Sequence, residues 1–222
     1  QTSKLGRPWS LSDKFIVPTE AVSKLRSIKN NEQIEYYKKQ SEKQGTKMAQ
    51  YGTPVEFELN FFQQAELNTL PNGDLLYRYR IQSPGAISLN LIFTEFYLAE
   101  GSLLYISASN KKSFVGAYTS LNNNLSKKIG TDLIYADDII IEVQEPLKNK
   151  NLSKLKLGKV IHGFVELSEL MDKALNSSGS CNIDVNCPQG AGWEVARNSV
   201  AMLVNGNGGF CSGSMVNNTS GE

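Results

Sequence analysis

The chain has 222 residues, of which 40% are apolar and 20% charged, and its formal net charge is +1. That length can bury one substantial core or two modest ones. So small a charge argues against nucleic acid or an anionic membrane surface as the main partner, and no run approaches the roughly eighteen apolar residues of a membrane helix.

In chain order, Gln1 comes first, with no initiator methionine and no charged-then-apolar leader. Removal of a secretory signal could leave such a start, and so could a cloning boundary. Residues 1–50 form a polar arm with ten Lys or Arg against five Asp or Glu. Within it, "NNEQIEYYKKQSEKQ" (30–44) has helix-forming residues and an Asn start, but Ile34, Tyr36 and Tyr37 make only a thin apolar stripe. The arm reads as a solvated, partly helical leader.

From Tyr51 the pattern becomes that of β-structure. "VEFELNFF" alternates, with Val55, Phe57, Leu59 and Phe61 on one face, and "LLYRYRIQ" (75–82) does the same after the turn signal "PNGD". "AISLNLIF" (86–93), "SLLYISAS" (102–109), "IIIEVQ" (139–144) and "SKLKLGKVIHGFVEL" (153–167) continue the series, divided by Gly-, Asn- and Pro-bearing turns. The expectation is all-β: an antiparallel sandwich or jelly-roll over 51–173. Near 168–180 the composition changes again. After Lys173 only Arg197 is basic, and eight of the eighteen glycines and all three cysteines follow. Residues 174–222 therefore belong to a different folding unit.

Chemistry is sparse. Five residues separate Cys181 from Cys187, wider than the usual zinc spacing, and His162, the only histidine, lies nineteen positions before Cys181. Half-cystines awaiting distant partners, in an oxidising environment, fit better than a metal site. His162, inside "KVIHGFV", reads as a satisfied strand histidine, and no "GxSxG" elbow accompanies it. Asp137 and Asp138 are neighbours at a strand start and point to opposite faces. "NGNGG" (205–209) reads as a hairpin loop, since neither a following helix nor a Lys-Ser/Thr pair makes it a phosphate cradle. No catalytic residue, metal ligand or cofactor is assigned.

"SGSCNIDVNCPQG", followed about twenty residues later by "FCSGSMVNNT", resembles the start of the mature domain of the lysyl endopeptidase family. These are secreted bacterial serine endopeptidases with a trypsin-like double β-barrel. "YRIQSPGAISLNLIFTEFYLAEGSLLYI", "GAYTSLNNN", "IIIEVQEP" and "LKLGKVIHGF" resemble the sandwich propeptide of bacterial members, and "GRPWSLS" resembles the leader of exported proteases. The resemblance implies a β-sandwich prodomain followed by the first barrel strands, "NSVAMLVNG" and "GFCSGSMVNN". It also implies that Cys181, Cys187 and Cys211 pair with cysteines later in the catalytic domain. The family's catalytic histidine sits in a "T-A-x-H-C" segment beyond the "VNNT" stretch, so none of the triad transfers to this sequence. The implied partners are the remainder of the protease domain and protein substrates, with no nucleic acid and no membrane insertion; the implied location is extracellular. Lys173, in a polar joint eight positions before Cys181, becomes the candidate self-processing site, or else one linker lysine among many.

A second possibility is an exported β-sandwich module that binds glycan or protein without hydrolysis. Its support is the sandwich pattern and the aromatic pairs Tyr77, Tyr79 and Phe96, Tyr97.

Overall fold

The computed structural model describes residues 6–12, 17–45, 49–169, 188, 191–206 and 208–214, with the backbone only at 49, 202 and 210–212. Three sheets carry the chain. The first, six-stranded, runs β1 (Val22–Lys24), β5 (Leu75–Gln82), β10 (Asp138–Glu145), β7 (Leu103–Ala108) and β8 (Phe114–Tyr118), with β4 (Glu66–Thr69) also on β5. The second runs β3 (Gly52–Asn60), β11 (Lys154–Gly163), β6 (Ser88–Tyr97) and β9 (Ile129–Gly130). The third is small: β12 (Val200–Val204), β13 (Gly209–Ser214) and β2 (Ala49–Gln50). Pairing is antiparallel except where β1 lies parallel to β5, Val22 opposite Arg80.

The two larger sheets share one core because alternation sends every second side chain inward. Tyr77, Tyr79 and Ile81 of β5 join Ile139, Ile141 and Val143 of β10 and Leu104 and Ile106 of β7. From the opposite sheet come Leu89, Leu91 and Phe93 of β6 and Leu155 and Leu157 of β11. Each such burial contributes about 1.5–3 kcal/mol, so this layer dominates stability. In β11 the register shifts between Leu157 and Lys159, and Val160 rather than Lys159 returns to the core. Gly158 permits that bulge, since a Cβ there would stand 2.4 Å from Thr94 Cγ2.

"VEFELNFF" does not stay extended throughout. β3 ends at Asn60, and Phe61–Gln64 forms a helical turn. Adjacent strand residues face opposite ways, whereas the turn lets Phe61 bury fully while Phe62 sets its edge on Tyr77, centroids 4.9 Å apart.

Residues 6–12 and 17–45 touch both sheets. The turn Trp9–Leu11 lies on the outer side of the first sheet, where Trp9 N–H and Ser10 N–H donate to the buried Glu142 at 2.7 and 2.6 Å and Ser10 Oγ donates at 2.5 Å. Helix α1 (Asn30–Gln44) has no buried residue, yet Tyr37 stacks on Phe164 (5.6 Å, 11°) and its hydroxyl meets Thr53 Oγ1 at 3.0 Å. Its N-cap is Lys29, not the expected Asn30, and Gly45 closes it in the left-handed conformation.

Candidate functional site

Asn30 is free of capping duty because its amide is used elsewhere. Its Nδ2 donates to Gly85 O at 2.8 Å, which turns Oδ1 toward His162 Nε2 at 3.0 Å. An amide oxygen only accepts, so Nε2 carries the proton and Nδ1 accepts from Ser83 Oγ at 2.7 Å. Burial holds the imidazole below its ordinary value, against a weaker opposing pull from Asp137. Ser83 and His162 are both fully buried. A serine and histidine in contact suggest a nucleophile and base, but no substrate reaches these two. They pin the β5–β6 turn and the start of α1 to β11.

Asp137 and Asp138 separate as alternation requires. Asp137 accepts from Gly85 N–H at 3.5 Å, while Asp138 takes Arg80 in a two-pronged pair, at 2.9 Å from Nε and 2.5 Å from Nη2. Gln82 donates to Asp138 at 3.0 Å, and Ser109 Oγ donates as well. Burial alone would raise the Asp138 carboxyl; these hydrogen bonds and the Arg80 charge hold it below the usual carboxylate range. Among the described residues, no cluster of three His, Cys, Asp or Glu could hold a metal ion.

The aromatic pairs are not a binding platform. Tyr77, Tyr79 and Phe96 lie in the core and only Tyr97 is exposed. Alternation puts Tyr77 and Tyr79 on one face, which is the inner one.

The part of the molecule that joins its two compositional halves is the third sheet. β12 and β13 form the expected hairpin around "NGNGG", with Asn205 N–H donating to Gly209 O at 2.9 Å. β2, from the far side of the sequence, pairs with β13: Gln50 lies opposite Gly209 and Ala49 opposite Phe210. Tyr51 N–H and Gly52 N–H both donate to Gly208 O, at 2.7 and 3.3 Å. The backbones meet closely there. A Cβ on Gly208, whose φ is +77°, would fall 2.0 Å from Gly52 O. Tyr51 anchors the junction: its side chain is fully buried and its hydroxyl donates to Asn90 Oδ1 at 3.0 Å. Its carbonyl accepts from Phe164 N–H, and burial pushes its phenol up to about 12. Under the hairpin turn lies a cleft of about 470 Å³, with Asn90, Ile92, Thr131 and Leu133 on the sandwich side and Val204, Asn205 and Gly206 opposite.

Around this junction the hairpin segment leaves its own apolar side chains uncovered. Trp193, Val195, Val200 and Leu203 are more than half exposed, Val195 by 88%. Of the residues singled out in the sequence, Cys181, Cys187 and Lys173 lie outside the described residues. Cys211 falls in β13, its backbone opposite Leu203.

Residues 175–222 match the family model described as "Lysyl endopeptidase, C-terminal domain". The chain is related to the lysyl endopeptidases. The match makes the hairpin part of a protease-associated region, and β2 pairs with that hairpin from the other half of the sequence. Among solved structures, a carbohydrate-binding module, CsCBM6-3 from Clostridium stercorarium, solved in complex with cellobiose, is similar at 9% identity. That similarity spans 49% of this chain and 90% of that one, with a TM-score of 0.20. The likeness is too slight to carry any inference about fold or ligand.

Proposed function

We propose that this chain is the N-terminal portion of a secreted bacterial serine endopeptidase precursor. The sandwich of residues 51–173, with its arm, serves as a pro-region that assists folding of the protease domain and restrains it. The protease domain begins near residue 174 with the first strands of a trypsin-like barrel. The whole protein hydrolyses peptide bonds by acyl transfer from a serine with a histidine base and an oxyanion hole, cutting after lysine. Its half-cystines, Cys181, Cys187 and Cys211, pair beyond this segment.

One observation carries the proposal: the segment that lies in the lysyl endopeptidase-matching region leaves Trp193, Val195, Val200 and Leu203 each more than half exposed. Large apolar side chains exposed this densely along a short segment call for other elements to cover them, and further barrel strands are the covering a protease domain supplies. A pro-region also suits the physics, because long-range β pairing is slow when loop closure must precede the contacts that reward it. Self-processing after Lys173 fits a lysine-cutting enzyme.

The test is expression of a reading frame extended past residue 222, followed by N-terminal sequencing of the matured product and labelling with a serine-hydrolase probe. A product starting at Ala174 that labels with the probe is expected. An unlabelled product, or a chain that never matures, refutes the proposal.

A further inference from the structure

We infer that β2 is a donor strand: the arm, where it enters the sandwich, lends Ala49 and Gln50 to the outer edge of β13 and thereby holds the hairpin in place. The inference rests on the protease function proposed above only for its consequence, not for the contact itself.

An unpaired strand edge is a template for another strand, and adding an extended segment to such an edge is a recurrent way for one unit to grip another. β13 has β12 on one side and β2 on the other, so the donor fills the edge where the next strand of a growing sheet would pair. The gripping segment is rigid on the sandwich side. Tyr51, one residue past β2, is tied by its side chain to Asn90 and by its backbone to Phe164 and Gly208.

The fit is also tight. Gly208 sits so close to Gly52 that a side chain on Gly208 would collide with the Gly52 backbone. Gly52 is itself hemmed in, with its own Cβ position 2.7 Å from Ile161 Cγ2. Away from this strand the support is thinner. Gly206 rests near Ile92, with a Cβ position 3.4 Å from Cδ1, and the cleft of about 470 Å³ opens beneath the turn. The strand contact therefore carries the attachment.

In a longer chain, β2 would be a placeholder. It gives β13 a partner before the rest of the barrel exists, and it must leave before the next strand pairs there.

Two substitutions separate this from an incidental touch. Tyr51 N–H donates to Gly208 O, just before β13, so by the two-residue alternation Ala49 N–H faces its register partner Phe210 in β13. Ala49→Pro removes that donor without altering the hairpin sequence, and Gly208→Ala forces the backbones apart from the other side. Hydrogen exchange of the 222-residue chain is the readout. Amides of Gly209–Ser214 should exchange about tenfold faster or more in both variants, with β6, β7 and β10 unchanged. Unchanged exchange in the hairpin of Ala49→Pro overturns the donor strand. In an extended chain, Ala49→Pro should speed release of the mature N-terminus. Equal rates overturn its role as a restraint, whereas no maturation in either chain refutes the protease function and leaves the strand to the exchange result.

Discussion

Glu142→Gln should release the N-terminal turn. The carboxylate lies on the outer face of β10, between core residues Ile141 and Val143, and is fully buried because residues 9 and 10 cover it. It accepts two backbone N–H groups and one hydroxyl from Trp9 and Ser10, and Gln144 Nε2 donates to it at 3.1 Å. Oε1 serves Trp9 and Gln144, while Oε2 serves both Ser10 donors. Gln keeps one acceptor oxygen and puts an NH₂ where the other stood. Whichever way the amide turns, at least one backbone donor faces another donor. Hydrogen bonds to a charged group contribute about 1.5–3 kcal/mol each. Losing one and weakening the rest should cost about 2–4 kcal/mol, a large share of the 5–15 kcal/mol typical of a domain. The cost stays below the sum of three such bonds because the turn can lift away and rehydrate its donors. Urea unfolding gives the total, and hydrogen exchange at Trp9 and Ser10 shows whether the loss is local. A variant within about 0.5 kcal/mol of the parent, with those amides still protected, would refute the idea that this carboxylate holds the arm.

Phe93→Ala removes a fully buried ring from the shared core and should cost about 3–5 kcal/mol in chemical denaturation; a loss under 1 kcal/mol would mean the sheets do not meet there. His162 is neutral when folded and its ordinary value is 6.5, so the unfolded chain takes up a proton first as pH falls. Stability should decline below about pH 6.5, and unfolding curves for His162→Gln should lack that part of the slope. Asp138 behaves in the opposite sense, its folded carboxyl lying below the ordinary 3.8. Its contribution is complete above about pH 4 and fades as pH drops through the folded value. Asp138→Asn should therefore lose about 1–3 kcal/mol at neutral pH and show a shallower acid decline in urea titrations.

The sandwich strands were legible because "LLYRYRIQ" and "IIIEVQ" alternate plainly, and in each the apolar set faces the core. What was hidden depends on partners far away in the chain. Glu142 looks like an ordinary outward-facing strand residue, and nothing local says that Trp9 and Ser10 will cover it. Asn30 resembles a helix cap because its type favours caps, yet a tertiary partner, His162, outcompetes that local preference. Tyr77, Tyr79 and Phe96 advertise a ligand platform only when burial is unknown. β2 is two residues long, too short for any periodic signal, so the junction with the hairpin could not be read from pattern. The cysteine-bearing segment was legible as a family resemblance, through wording and spacing rather than through any physical pattern.

The position of residues 6–12 and 17–45 has a consequence for biosynthesis. A ribosome delivers Ser10, Asn30 and Tyr37 long before three of the residues they fasten to, since Glu142, His162 and Phe164 emerge more than a hundred positions later. These contacts are thus among the last to form, and the nascent chain must keep the arm out of wrong pairings while most of the sandwich is translated.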